Sequence, residues 1–139
     1  MPRLFTVLAL CSLLSFASGG PGFAAPGVSS DSPLNHCYNG SQTTQQGLNQ
    51  CAQKAYQQVD AELNRLYKQI QSKQGRKLDQ QRFQTAQLAW IKFRDLQCAY
   101  ASGRYEGGTI APLIHSQCLT DITLLRNQYF RQFLKDMSR

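Results

Sequence analysis

Cysteine and histidine are the residue types in this chain that could bind a metal or act as nucleophiles. Cys118 follows His115 at a spacing that zinc sites use, and Cys37 follows His36 directly. Four cysteines remain when Cys11, in the apolar start of the chain, is set aside. An even number of cysteines in a small exported domain favours disulfides over metal binding. We therefore expect two disulfides, no metal site and no cofactor.

The cysteines Cys37, Cys51, Cys98 and Cys118 permit three disulfide pairings. One pattern closes the two shorter loops, pairing Cys37 with Cys51 and the other two with each other. Another pattern, which pairs Cys51 with Cys98, would lock two helices together. An unstrained disulfide stabilises a small domain by about 2–4 kcal/mol, because it restricts the unfolded chain. The sequence leaves the pairing open.

The acidic and hydroxyl residues do not form a recognisable catalytic arrangement. Acid–base hydrolysis needs two positioned carboxylates, and most of the seven acidic residues after Asp31 fall at helix surfaces or caps. No serine stands in a nucleophile elbow, and no glycine-rich loop follows a strand to bind phosphate. We therefore expect a protein that is not an enzyme.

The segment from Asp79 to Gly103 must position most of the remaining candidates, because it holds the only tryptophan. Apolar residues recur there at helical spacing with a mixed stripe beside them, which predicts a long amphipathic helix. Trp90 lies where the stripes meet and is expected to anchor the core. The first stripe is Phe83, Ala86, Trp90, Phe93, Gln97 and Tyr100; the second is Gln87, Ile91, Arg94 and Cys98.

Two further long helices are predicted around this segment. Thr43-x-x-Gln46 is a capping-box signal for a helix over about 44–74, and Asp79 is expected to cap the next helix. Pro112 fits the first turn of a third helix. The fold class is therefore all-α: a long antiparallel helical hairpin plus a third helix, stapled by disulfides. The expected apolar face of the third helix is Leu119, Ile122, Leu125, Tyr129, Phe133 and Leu134.

The short connection around Arg76 makes the first two long helices antiparallel neighbours. In an antiparallel pair of helices, residues equally far from the bend lie side by side. Asp60 is therefore expected near Lys92 and Arg94. An ion pair there could belong to a recognition surface, since tryptophan and arginine are favoured at binding hot spots. It could also be a polar seam that fixes the register of the two helices, and this is the interpretation we favour.

The first 24 residues have the features of a secretory signal peptide, with a positive end, a short apolar run and a small-residue stretch. Residues 25–36 are expected to form a flexible leader, and residues 37–136 the helical domain. The apolar run is shorter than the ~20 residues that span a bilayer. We therefore predict an exported protein, periplasmic or secreted, with no transmembrane segment in the mature chain.

The whole chain carries a net charge of +7. Removing Arg3 with the signal peptide leaves 14 basic residues against eight acidic residues, a net charge of +6. The basic residues are spread over all three predicted helices, which argues against nucleic acid as a partner. A basic exported domain could still bind peptidoglycan or another anionic polymer of the cell envelope by electrostatic attraction.

Five short motifs follow one another along the chain. They are Thr44-Gln45 with Leu48-Asn49-x-Cys51-Ala52; Asp60-x-x-Leu63-Asn64-x-x-Tyr67; Gln87-x-x-Trp90-x-x-Phe93-Arg94-Asp95-x-x-Cys98; Gly108-Thr109-Ile110 with Pro112; and Cys118-Leu119 with Thr123-x-x-Arg126. In this order and spacing they resemble the LprI-like lysozyme-inhibitor N-terminal domain, a bacterial family. The family usually has Glu where this chain has Gly47, which removes a capping partner from the first long helix.

The resemblance implies a secreted or periplasmic helical domain that inhibits lysozyme through protein–protein contact. The alternative is a cell-envelope binding or assembly module for peptidoglycan or another anionic polymer. Many c-type lysozymes are basic, so a basic inhibitor would need a local acidic or aromatic contact, for which Glu106 on the loop before the third helix is our candidate. The candidate binding residues are Asp60, Asn64, Tyr67, Gln87, Trp90, Arg94, Glu106 and Arg126.

Overall fold

A computed structural model describes residues 32–40 and 44–139 of the chain. These residues form four α-helices and no strand, so the all-α prediction is confirmed. Within the same ranges no helix is long and apolar enough to cross a membrane. The expected signal peptide, residues 1–24, and residues 25–31 of the expected leader lie outside the described part. The helices are α1 (Leu34–Asn39), α2 (Gln45–Lys73), α3 (Lys77–Gly103) and α4 (Ala111–Asp136).

The short helix α1 begins inside the segment expected to be a flexible leader, residues 25–36. Leu34 is 2% exposed and packs in an apolar cluster with residues of α2 and α4. The disulfide between Cys37 and Cys51 fastens α1 to α2. Residues 34–36, at the end of the segment expected to be flexible, are therefore helical, because burial of Leu34 stabilises the helix across the fold.

Helix α2 begins at Gln45, with Thr44 as its N-cap. The Thr44 hydroxyl accepts a hydrogen bond from the backbone N–H of Gly47 at 3.1 Å. The predicted capping box placed the cap at Thr43, which lies outside the described residues, with Gln46 as its partner. In a capping box, the side chain three residues after the cap bonds back to the backbone N–H of the cap. With Thr44 as the cap this residue is Gly47, which has no side chain for that bond. Among the described residues, the helix start therefore has only the Thr44 hydroxyl as a side-chain cap.

Helix α3 begins at Lys77, earlier than expected. Asp79 therefore lies in the first turn, where its charge suits the helix N-terminus, and it accepts a hydrogen bond from Arg76 Nε at 2.6 Å. The prediction that Asp79 caps this helix is wrong, because the chain already leaves the extended conformation after Arg76. Helix α4 has Pro112 in its first turn, as predicted.

The main core cluster joins α2, α3 and α4 near the α2–α3 connection. Phe130 of α4 is fully buried among three aliphatic residues of α2. Phe83 of α3 packs onto Phe130 with ring centroids 5.4 Å apart, and the partly buried Trp90 packs against the same cluster. Helix α4 packs against both α2 and α3, so it closes the hairpin as the third helix.

Of the two stripes predicted on α3, the mixed stripe is the buried one. Gln87 and Arg94 are each 6% exposed, and Cys98 is fully buried. Phe93 and Tyr100 of the aromatic stripe are 57% and 73% exposed. The aromatic stripe therefore faces largely outward, because the polar residues of α3 find hydrogen-bonding partners on α2 and α4.

The buried face of α4 is more polar than predicted. Leu125 and Tyr129, assigned to its apolar face, are 42% and 56% exposed, so the prediction is wrong for these two residues. Small and polar residues of α4 pack against α2 instead, where small residues such as Ala52 permit a close approach. Asn127 Nδ2 donates to the Val59 carbonyl at 2.9 Å across this contact. The buried polar residues of α4 are Ser116, Thr120, Thr123 and Asn127.

Two threonines of α4 offer a matched test of this polar contact. Both are fully buried, but the Thr120 hydroxyl donates to the Ser116 carbonyl at 2.8 Å, whereas the Thr123 hydroxyl has no partner within the described residues. Thr123→Val is expected to raise the free energy of unfolding by about 1 kcal/mol, since valine removes an unpaired polar group. Thr120→Val is expected to cost up to about 1 kcal/mol. Urea denaturation measures both; destabilisation by Thr123→Val would contradict this account.

Both disulfides close the shorter loops, so the structure selects one of the pairings that the sequence left open. Cys37 pairs with Cys51 and Cys98 pairs with Cys118. The second bond joins the last turns of α3 to the first turns of α4, at the base of the loop over residues 104–110. The thiols of Cys37 and Cys118 are thus not available for the zinc arrangement considered above. Residues 32–40 and 44–139 contain no cluster of three or more potential metal ligands.

Candidate functional site

A polar seam joins α2 to α3 around Arg94, whose side chain is 7% exposed. Its Nη1 donates to Asp60 Oδ1 at 3.1 Å, so the predicted ion pair is present, and its Nε donates to Asp95 Oδ1 at 2.9 Å. Asn64 Nδ2 donates to Asp60 Oδ2 at 3.1 Å. The Tyr56 hydroxyl donates to Asp60 Oδ1 at 3.3 Å. The buried guanidinium therefore has two carboxylate partners within the protein.

Two members of this seam, Tyr56 and Asp95, are absent from the sequence-based candidates. A sequence signal for both exists: Tyr56 lies four residues before Asp60 on the same helix, a spacing that brings side chains together, and Asp95 directly follows the arginine. Tyr67, another of the candidate binding residues, stacks on Phe83 with ring centroids 5.1 Å apart.

Burial and charge pairing oppose each other in the seam. Burial alone would lower the pKa of the Arg94 guanidinium, but the oxygens of Tyr56, Asp95 and Asp60 raise it above its ordinary value. The pKa of the Tyr56 phenol is raised by burial, lowered by Arg94 and raised again by Asp60, with a net increase. At neutral pH Arg94 is therefore a cation and Tyr56 a neutral hydroxyl that donates to Asp60.

Aromatic rings and guanidinium groups alternate from the seam toward the outer edge of α4. The Arg94 guanidinium carbon lies 5.5 Å from the Tyr56 ring centroid and 5.3 Å from the Trp90 ring. The Arg126 guanidinium lies 5.3 Å from the same Trp90 ring and 5.4 Å from the Tyr129 ring. Each such contact contributes about 0.5–2 kcal/mol, depending on its exposure to water. Trp90 therefore links two cations of different helices.

Gln87 holds the second of these cations. Arg126 Nε and Nη2 donate to Gln87 Oε1 at 3.2 and 3.1 Å. Burial lowers the pKa of Arg126, while Tyr129 has the opposite effect. Among the described residues no carboxylate pairs with Arg126, in contrast to Arg94 with its two carboxylates.

The structure gathers seven of the eight candidate binding residues along the contacts of α3 with its neighbours. Three of them, Asn64, Tyr67 and Gln87, line one shallow cleft between α2 and α3. Glu106 is separate, because it lies in the loop between α3 and α4. The seven are Asp60, Asn64, Tyr67, Gln87, Trp90, Arg94 and Arg126.

The α3–α4 loop, residues 104–110, is exposed along its whole length. Its backbone is nevertheless defined by hydrogen bonds within the turns, and Asn49 Nδ2 of α2 donates to the Thr109 carbonyl at 2.9 Å. Gly107 has a φ of 77°, in the left-handed region that favours glycine. Glu106 directly precedes this glycine, so the loop holds an exposed acidic side chain at an ordered turn.

A family model described as "Lysozyme inhibitor LprI" matches residues 37–129, which include the seam and the loop. The chain belongs to the LprI family. The resemblance carried by the sequence motifs is therefore confirmed. An uncharacterized protein of Rhizobium meliloti (strain 1021) is 32% identical to this LprI-family chain over 104 residues, covering 66% of this chain and 75% of the relative. No solved structure matches the chain.

Proposed function

We propose that this LprI-family protein is an exported, non-catalytic inhibitor of lysozyme that acts by protein–protein contact. The match to the lysozyme inhibitor family over residues 37–129 is the observation that carries the proposal. The two disulfides support export, since such bonds persist in oxidising compartments. Lysozyme is accordingly the proposed partner.

The loop over residues 104–110 is the proposed contact with lysozyme. A segment whose conformation is already ordered loses less entropy on binding than a flexible one, which favours an ordered and exposed loop. Glu106 supplies the acidic contact that a basic lysozyme would require. Arg94 is already bound to Asp60 and Asp95, so its proposed role is to support the helices behind the contact.

Titrating the oxidised mature protein into a cell-wall lysis assay tests this function. We expect a stoichiometric amount to stop lysis by a c-type lysozyme at both low and high salt, because a packed interface depends little on screened charges. Unchanged lysis would contradict the proposal. Inhibition at low salt only, together with salt-sensitive binding to isolated peptidoglycan, would favour the envelope-polymer module instead.

Substituting Glu106 tests the proposed contact residue. Glu106→Gln is expected to weaken inhibition about 10-fold, the effect of losing roughly 1.4 kcal/mol of charge pairing at the interface. Arg104→Gln is the matched control on the same loop. Removing this positive charge is expected to leave inhibition unchanged or slightly stronger, because it reduces repulsion between two basic proteins. Inhibition constants from the lysis assay measure both; equal constants for wild type and Glu106→Gln would remove Glu106 from the contact.

A further inference from the structure

An open apolar groove runs between the outer faces of α3 and α4. Large side chains in its walls remain in contact with water: Phe93 is 57% exposed, Tyr129 56% and Leu125 42%. Contiguous apolar surface of this kind marks sites of interaction with other molecules. The groove is lined by Trp90, Phe93, Ile122, Leu125, Arg126 and Tyr129.

Among the described residues that line this groove, Arg126 is the only cation, and it is incompletely paired. Two of its N–H donors, on Nε and Nη2, converge on the single neutral oxygen of Gln87. A guanidinium has five N–H donors arranged to bind a carboxylate through two parallel hydrogen bonds. The aromatic rings of Trp90, Tyr129 and Phe130 lie 5.3, 5.4 and 4.7 Å from its carbon atom and limit its hydration.

Arg94, the neighbouring arginine, shows which partners a guanidinium group beside Trp90 has in this protein. Arg94 contacts the same Trp90 ring at the same distance, 5.3 Å, and is paired with Asp60 and Asp95. Arg126 has the corresponding aromatic surroundings, but it has no carboxylate partner within residues 32–40 and 44–139. The charge missing from this site is therefore negative, and the groove would accept it beside apolar groups.

We propose that this groove binds an amphipathic helix of a partner protein, whose apolar face packs on Phe93 and Tyr129 and whose Asp or Glu side chain pairs with Arg126. The walls of the groove are two long antiparallel helices, and a third helix laid between them would bury both exposed faces. The site is separate from the proposed lysozyme contact at Glu106. The inference therefore stands or falls independently of lysozyme inhibition.

A second copy of this chain fits the groove less well. A two-fold contact through the same surface would bring two Arg126 guanidinium groups toward each other. The chain also carries a net charge of +7, so association of two copies is opposed by repulsion at longer range. Charge complementarity therefore favours an acidic helix over self-association.

A displayed library of helical peptides of about 16 residues, roughly 24 Å of helix, is the probe we would use on the oxidised mature protein. Trp90 is the only tryptophan and lies in the groove, so its fluorescence reports binding there. We expect selected peptides to carry an Asp or Glu within an apolar face and to change the Trp90 emission. Replacing that acid by its amide is expected to weaken binding about 10-fold.

Two arginine variants test the assigned pairing. In Arg126→Gln the acidic peptide and its amide version should bind equally, whereas Arg65→Gln, an equal change of charge on the exposed surface of α2, should keep the preference for the acid. If Arg126→Gln does not fold, Arg126→Lys should keep part of that preference. Selected peptides without acidic residues, or a preference that survives Arg126→Gln, would overturn the proposal. A dimer in sedimentation that Leu125→Lys abolishes would overturn it in favour of a second copy.

Discussion

Replacing Cys98 and Cys118 together by alanine is expected to lower the free energy of unfolding by about 3 kcal/mol, from the loop-closure entropy of a 20-residue separation. The loss is large against the 5–15 kcal/mol or so that stabilises a typical small domain. Alanine is preferred to serine, because Cys98 is fully buried and a hydroxyl there would be unpaired. Urea denaturation followed by circular dichroism measures the change.

The other disulfide is the control. Cys37 and Cys51 are 14 residues apart, so loop entropy alone gives nearly the same figure, about 3 kcal/mol. This bond, however, fastens only the six-residue helix α1, which we expect to detach while the three long helices stay folded. We therefore expect its removal to change the main unfolding transition by less than about 1 kcal/mol. Equal losses for the two pairs would contradict this division of the molecule.

The three long helices could be predicted because their signals are local. An amphipathic pattern, a capping signal one residue from the observed cap, and a proline at position 112 each act within a few residues, and the structure places α2, α3 and α4 close to the expected ranges. Helix α1 was not predicted. Its start has a local signal, since the Ser32 hydroxyl accepts a hydrogen bond from the Leu34 backbone N–H at 3.4 Å. With only six residues, however, it is held mainly by Leu34 and the disulfide of Cys37, which are contacts across the fold.

Which face of each helix is buried is harder to predict from the sequence than where the helix begins and ends. Helices α3 and α4 each carry an apolar stripe and a polar stripe. Which of the two is buried depends on hydrogen bonds to other helices. Asn127 is buried because its side chain reaches the Val59 carbonyl, while Tyr129, two residues later, is left in water. Hydrophobicity predicts the opposite order for these two residues.

Within the candidate site, the partner of only one of the two arginines next to Trp90 could be predicted from the sequence. The register of the hairpin predicted the partner of Arg94, because Asp60 lies on the adjacent helix at the same height. The environment of Arg126 depends on how α4 packs on α3, and no local pattern gives its distance from Gln87 or the absence of a carboxylate partner in the described part of the chain. The proposed docking groove is consequently a result of the structure alone.

Arg94→Ala is expected to lower the free energy of unfolding by about 3 kcal/mol, at the lower end of the cost of breaking a buried ion pair. The guanidinium fills the space between Tyr56 and Trp90, so alanine leaves a cavity there. The cost is not higher because the partner left behind, Asp60, is 33% exposed and keeps its hydrogen bond from Asn64. Urea denaturation measures the loss.

The two carboxylates that share this guanidinium provide matched controls. The Asp60 side chain is 33% exposed and the Asp95 side chain 55%. Asp60→Ala is expected to cost about 2 kcal/mol, since it removes a partner of a buried cation. Asp95→Ala is expected to cost less than about 1 kcal/mol, as for other solvent-exposed pairs. A larger loss from Asp95→Ala than from Asp60→Ala would show that the more exposed partner carries the interaction.

Inhibition then separates the two interpretations of the Arg94 seam. The double variant Asp60→Leu with Arg94→Met replaces the ion pair by apolar side chains of similar volume, which usually restores most of the stability lost on breaking such a pair. If the seam only fixes the register of α2 and α3, this folded double variant should inhibit lysozyme as wild type does, while Glu106→Gln is weakened. A stable double variant that no longer inhibits would instead place Arg94 on the recognition surface, because its loss would then act on binding without acting on the fold.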